Sequence, residues 1–448
     1  GDDFPVSLRY SIVSKTKGMR EGALPGEDFV EVGRDMAESE VAVKLLQDAG
    51  YDMLNCDNGT YDAWYWAHPP VYMPENCNLE YVEHIKKHCD IPVVCAGRLD
   101  PRVAADSIAA GKIDGAGFAR PFLADQEWVT KMINGKEEDI RPCILCHNGC
   151  FNMAHYKGVP NDQELEDSLH LARCAVNAET MQWNKHYIKP TKNPKTVHII
   201  GGGIGGMEAA RVLKLRGHKP IIHEKSDVLG GTFIPASAES YKGKLRDLLE
   251  WYRRQMEILD IDVRLNDKVK NVALFAGNPV IVATGSKPRL LTKIRGHEKM
   301  IEACDFLNGA EVGNTVAVIG GGLTGCEIAY ELHLQGKNPI IVEMKDDLIA
   351  QTGVCLANSS YLREYFALNN LPVYLESALC EVKDDSIMIS KKDGSKEEIA
   401  CDDVISSVGY IPNPLGEKSR NVHLVGDCLS VGNLRTVIWR AYEVAMKI

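Results

Sequence analysis

The sequence predicts an α/β chain in three successive parts: four strand–helix units, a cysteine-rich connector, and two copies of one strand–glycine turn–helix unit. Three observations carry this. Short apolar runs alternate with amphipathic stretches four times before residue 125. Cys143, Cys146 and Cys150 crowd one short turn. A 29-residue segment starting at Val197 recurs from Val316.

In the first part, strands are predicted at 4–12, 53–57, 92–97 and 115–119, with helices at 40–49, 79–88 and 101–110 between them. Strand followed by helix, repeated, argues a parallel sheet. A doubly wound sheet satisfies that pattern, but the strand ends AGRLD and GFARPFLAD look like the βα loops of a TIM (β/α)8 barrel. A full barrel takes ~250 residues, so four units are its C-terminal half. Half a barrel leaves two parallel edges open. Its other half is expected upstream or from another chain, and a start at Gly1 just ahead of a strand fits an N-terminally incomplete sequence.

Composition narrows the function classes. Hydrophobic residues at 45% and charged residues at 25% are ordinary for a globular chain. A net charge of −11 without a basic block argues against nucleic acid as partner. No apolar run reaches the ~18 residues a membrane span needs. The 14 cysteines are scattered rather than framework-spaced, which fits a reducing, cytoplasmic location with some thiols serving as ligands.

The connector holds PCILCHNGC, with Cys143-x2-Cys146-x3-Cys150, and Cys174 in RCAVN is the best fourth ligand. Three thiolates this close indicate one soft metal centre, and four cysteines hold either zinc or a [4Fe–4S] cluster. The uneven spacing leans to iron–sulfur, while His147, His155 and His170 keep zinc open.

The repeat comes next. VHIIGGGIGGMEAARVLKLRGHKPIIHEK and VAVIGGGLTGCEIAYELHLQGKNPIIVEM are offset by 119 residues without a gap and share 15 of 29 positions. Gly201 and Gly320 make the tight turn, Gly203 and Gly322 admit a pyrophosphate to the backbone, and Gly206 and Gly325 let helix pack on strand. Glu224 and Glu343, each 23 positions after the first glycine, stand where a carboxylate accepts ribose hydroxyls. One such glycine pattern is weak evidence. Two, each with strand, helix and distal acid, are strong.

Two further segments tell the copies apart: PVIVATGSKPR at 279–289 and VHLVGDC at 422–428. They resemble the ATG and GD segments of the two-dinucleotide flavoproteins, as does Leu229-Gly230-Gly231. The resemblance implies that the first copy holds FAD, with Gly231 and Asp427 among its ligands, and that the second, inserted copy holds NAD(P)H. Glu343 favours NADH over NADPH, because a 2′-phosphate would meet a carboxylate, although Lys345 stands close by.

With GFARPFLAD, RPCILCHNGC and CAVN added, the whole chain resembles the Old Yellow Enzyme-type NADH:flavin oxidoreductases that carry a [4Fe–4S] cluster, among them the 2-enoate, 2,4-dienoyl-CoA and bile-acid reductases. That resemblance implies five segments: 1–135, second half of the FMN barrel; 136–190, cluster and linker; 191–308, first part of the FAD domain; 309–400, NAD(P)H domain; and 401–448, FAD-domain return. It places Arg9 at the flavin N1/O2 edge, and Gly97, Arg98, Ala119 and Arg120 at the FMN phosphate. The aromatic loop CDNGTYDAWYWAHPPVY, 56–72, would face substrate, with His68 polarising its carbonyl and Tyr61 and Tyr65 shaping the pocket.

The reaction implied is NADH-dependent reduction of the C=C bond of an α,β-unsaturated carbonyl compound, with FAD, the cluster and FMN in series. The expected partners are that small molecule and further copies of the chain. Two rivals stand: an amine dehydrogenase of the trimethylamine type, which needs no second fingerprint, and a diaphorase-like electron-transfer subunit.

Overall fold

The computed structural model describes residues 3–154, 172–351 and 353–448. His155, His170 and the rest of 155–171 lie outside the described residues. The chain divides into two compact units: Gly1–Phe122 with Leu145–His147 and Cys355–Asn369, and the remainder.

In the first unit, strands Ser7–Ser11, Met53–Asp57, Val93–Ala96 and Gly115–Gly117 form one parallel sheet in sequence order. That order is singly wound. A doubly wound sheet reverses at its first strand, so the topology is that of a barrel segment. The helices begin where the sequence caps them. Asp35 accepts from the Glu38 amide at the start of Met36–Asp48. Asp100 accepts from the amides of Arg102 and Val103 ahead of Pro101–Ala109. The core joins sheet and helices through Tyr10, Ile12, Val43, Leu54, Val82, Ile85 and Val93. The helix Leu356–Leu368 also belongs to this unit, although it lies inside the range expected for the NAD(P)H domain.

The second unit holds two five-stranded parallel sheets of matching design. In the first, Thr196–Ile200 lies between Lys219–His223 and Val280–Val282, with Asp262–Arg264 and Val422–Leu424 at the edges. In the second, Thr315–Ile319 lies between Asn338–Val342 and Asp403–Ser406, with Val373–Tyr374 and Ile301–Glu302 at the edges. The chain leaves the first sheet at Ser286–Pro288 and returns at Tyr410–Pro412, and these crossings pair antiparallel. Because Asp403–Ser406 pairs with Thr315–Ile319, the return lies later than residue 401. An antiparallel meander, Ser377–Val382, Ser386–Lys391 and Lys396–Ala400, precedes it. Among the described residues, no helix is long and apolar enough to cross a membrane.

Candidate redox-cofactor sites

The two glycine turns have the same geometry. Gly201 and Gly320 sit at φ +109° and +108°, in the left-handed region that glycine tolerates. A Cβ on Gly206 would overlap the Gly201 carbonyl oxygen, and one on Gly325 would overlap that of Gly320. Gly203 and Gly322 cap helices Ile204–Leu215 and Leu323–Leu334, whose N-termini begin at the turns; in the second, the Leu323 amide donates to the Gln351 side-chain oxygen at 3.2 Å. A further feature marks the first copy. The Gly230 amide donates to the Gly202 carbonyl at 2.9 Å, and a Cβ on Gly231 would stand 3.4 Å from the Gly203 Cα. The Leu229–Gly231 turn therefore lies directly on the phosphate loop.

The distal acids do local work as well. Glu224 accepts from the Gly202 amide at 2.6 Å and from the Ser226 amide and hydroxyl at 2.9 and 2.7 Å. Glu343 accepts from the amides of Gly321 and Lys345 at 2.6 and 2.8 Å. Each carboxylate closes its glycine turn and keeps lone pairs that ribose hydroxyls could use. Lys345 turns its ammonium to the Ala350 carbonyl at 2.9 Å. Asp427 accepts from the Ser286 hydroxyl and the Gly432 amide at 3.3 and 3.2 Å, and burial raises its pKa.

Cys143, Cys150 and Cys174 belong to the second unit, and Cys146 to the short segment grouped with the first. Arg173 donates its amide to the Gly149 carbonyl at 2.7 Å, and a Cβ on Gly149 would overlap the Ala175 amide nitrogen. That backbone-on-backbone approach lays the Cys174 segment on the turn carrying Cys150. The Trp439 indole holds it there through the Cys174 carbonyl at 3.0 Å. Leu145 and His147 take φ +58° and +55° on either side of Cys146, a strained arrangement of the kind kept where function fixes the backbone. His147 is not available to zinc. Its Nε2 accepts from Arg120 at 2.8 Å, so its Nδ1 donates to the Asn358 side-chain oxygen at 3.1 Å. Burial, then the nearby Arg120 charge, hold its pKa well below the ordinary value.

On the barrel half, Arg9 pairs with the buried Asp57, Nε to Oδ2 at 3.0 Å, and keeps its side chain 59% exposed. Burial raises the Asp57 pKa, and Arg9 opposes the rise. Gly97 sits at φ +100°, where a Cβ would meet Asn78 Nδ2 at 2.5 Å. Arg98 donates to the carbonyls of Pro70 and Val71 at 2.9 and 2.7 Å and to that of Met73, which leaves its buried Nε without a hydrogen-bond partner. Ala119 is exposed ahead of the helix Arg120–Ala124, and Arg120 also donates to the Pro69 carbonyl at 2.9 Å. Both arginines thus tether the 69–73 loop that ends the aromatic stretch.

Within that stretch His68 is half-buried at the C-terminus of helix Trp64–Ala67, stacked on Trp64 with ring centroids 5.6 Å apart. Tyr61 is exposed. Tyr65 is fully buried, and its hydroxyl donates to Glu364 at 2.5 Å. That bond spans 299 positions, so no local signal announces it. Asn58 and Asn78, also absent from the sequence reading, are fully buried and joined at 3.1 Å. Asn58 takes the Val13 amide and Asn78 the Ala96 carbonyl, at 3.1 and 2.9 Å, which fixes three strand ends together. An Asn directly after a strand, in CDNG, was the available hint.

Comparison with known proteins agrees with this geometry. Residues 23–139 match the NADH:flavin oxidoreductase / NADH oxidase family, and residues 195–427 match the pyridine nucleotide-disulphide oxidoreductase family. The whole chain is 39% identical to 67% of a cinnamate reductase of Clostridium sporogenes. Over 95% of its length it is 30% identical to 64% of a bilirubin reductase of Mediterraneibacter gnavus. A 2-naphthoyl-CoA reductase in complex with 2-naphthoyl-CoA superposes on the whole chain and 66% of its own, with TM-score 0.84 and 26% identity. The chain thus spans about two thirds of the length of these relatives. Its cofactors are those of such reductases: FMN on the barrel, FAD and NADH on the paired dinucleotide folds, and a [4Fe–4S] cluster. The chain belongs to the NADH:flavin oxidoreductase / NADH oxidase family, in the branch joined to a pyridine nucleotide-disulphide oxidoreductase module, and is a flavin-dependent oxidoreductase.

Proposed function

We propose that the protein uses NADH to reduce the C=C bond of an α,β-unsaturated carbonyl compound, an enoate, enone or enoyl-CoA, in the cytoplasm. The observation that carries this is the 39% identity with a cinnamate reductase over the whole chain. When bound, the flavins and cluster supply hydride transfer at either end and single-electron steps between. The chain's own residues bind and orient. Gly201, Gly203, Gly206, Glu224, Gly231 and Asp427 would hold FAD; Gly320, Gly322, Gly325 and Glu343 would hold the nicotinamide nucleotide. Cys143, Cys146, Cys150 and Cys174 would ligate the cluster. Arg9 would face the flavin ring with a positive charge, while Gly97, Arg98, Ala119 and Arg120 would surround the FMN phosphate. His68 would donate a hydrogen bond to the substrate carbonyl. Tyr65, with its hydroxyl given to Glu364, would support the loop rather than touch substrate.

The test is anaerobic NADH oxidation against cinnamate, simple enones and enoyl-CoA esters, with the saturated product identified. Stoichiometric reduction of one class supports the proposal. NADH-dependent dye reduction with no alkene reduced in any preparation that holds both flavins favours the electron-transfer reading instead.

A further inference from the structure

Away from every residue used so far, Glu40, His84 and His88 turn their ligand atoms to one point, all within 4.8 Å of one another. Glu40 lies in the second turn of helix Met36–Asp48. His84 and His88 are four positions apart on Leu79–Ile85 and the single 3-10 turn, Lys86–His88, that extends it. That spacing puts both imidazoles on one face. Their rings stack with centroids 5.0 Å apart and planes 29° off parallel. Both Nε2 atoms approach the same oxygen, Glu40 Oε1, at 2.7 and 3.8 Å.

We propose that this cluster is a binding site for a borderline divalent cation such as Zn2+, with two imidazole nitrogens, one carboxylate oxygen and a water as ligands. The separations suit it: zinc bonds of about 2.0–2.1 Å put tetrahedral neighbours about 3.4 Å apart, between the two observed distances. Two imidazoles select Zn2+, Co2+, Ni2+ or Cu2+ over Mg2+ or Ca2+, which take oxygen. The backbones are already fixed. Buried Ser39 hydrogen-bonds Tyr10 at 2.9 Å beneath Glu40, and buried Val82 and Ile85 anchor the histidine helix. The side chains remain 33–40% exposed, so a cation can enter and keep a water. Cys89, next in the chain, turns its thiol to the carbonyls of Ile85 and Ile91 at 3.9 Å each and is no ligand. A bound cation would clip helix Met36–Asp48 to helix Leu79–Ile85, a role separate from electron transfer.

The experiment uses the protein with flavin and iron in place, equilibrated with Zn2+ and dialysed, then read by elemental analysis and zinc X-ray absorption. One zinc per chain with a nitrogen/oxygen shell is expected. His84→Ala and His88→Ala should each weaken binding by at least about tenfold, since even groups outside a ligand set cost that much. Their iron and flavin contents should stay unchanged. Equal zinc in the wild type and the His84→Ala/His88→Ala double variant, or a sulfur shell, would overturn the assignment and leave the three residues as a hydrogen-bonded helix clamp.

Discussion

Glu364 is a carboxyl group whose proton matters to the fold. Burial lifts its pKa to about 7, and the Tyr65 hydrogen bond and Lys17 only partly offset this. A carboxyl raised in the folded state contributes stability that is complete below its unfolded value and is lost as pH rises through the folded one. Thermal stability should therefore fall between pH 5 and 8, and Glu364→Gln should flatten that slope; an unchanged slope would show that another group sets it. Tyr65→Phe should cost about 1–3 kcal/mol, because it removes a side-chain donor from a buried carboxyl that then keeps only the Gly22 backbone hydrogen bond. Glu343 poses a different question. Glu343→Ala should weaken NADH binding by about 1.5–3 kcal/mol, the range for hydrogen bonds to a charged group, and narrow the preference over NADPH. Since the same carboxylate closes the Gly320 turn through the Gly321 amide, some loss should fall on both nucleotides. Unaltered KM values for both would show that no ribose reaches it.

At the scale of elements, the sharpest constraint is the meeting of the cysteine turn with the Cys174 segment. Gly149→Ala would drive a methyl group into the Ala175 backbone, which a close-packed contact cannot absorb. We expect that variant to keep its FAD while losing most of its roughly four irons and sulfides per chain; full iron content would show that Cys174 is not a ligand. Elements were legible in the sequence where their cause is local. The strand predicted at 53–57 forms at Met53–Asp57, and the helix predicted at 101–110 forms at Pro101–Ala109, because alternation, Asp100 and Pro101 lie within the segments themselves. Both glycine turns were legible for the same reason. What was not legible depends on distant partners. The Arg98 and Arg120 tethers to 69–73, the Asn58–Asn78 pair and the grouping of Leu356–Leu368 with the barrel half leave no mark in any short window. The Tyr65–Glu364 bond is the extreme case, joining residues nearly 300 positions apart.

At the scale of the whole molecule, the two units differ in how completely their sheets are closed. Each five-stranded sheet of the second unit ends in a short edge strand of two or three residues. Short edges resist further pairing. The four-stranded sheet is different. Its strands run parallel in sequence order, and Ser7–Ser11 and Gly115–Gly117 each lack a neighbour on one side among the described residues. A barrel interior is filled by side chains from all its strands, so four of them give a flavin support on one side only. The 448-residue chain expressed by itself should therefore bind FAD and reduce dyes with NADH, because each dinucleotide fold has its full five-stranded sheet. It should bind FMN weakly, reduce no alkene and associate through the open edges. Adding a polypeptide that supplies the complementary strands should restore FMN binding and alkene reduction together, with less association. FMN content near one per chain and robust enone reduction by the 448-residue chain unaided would instead show that four strands suffice, or that two copies close one barrel between them. A concentration dependence of the activity separates those two outcomes.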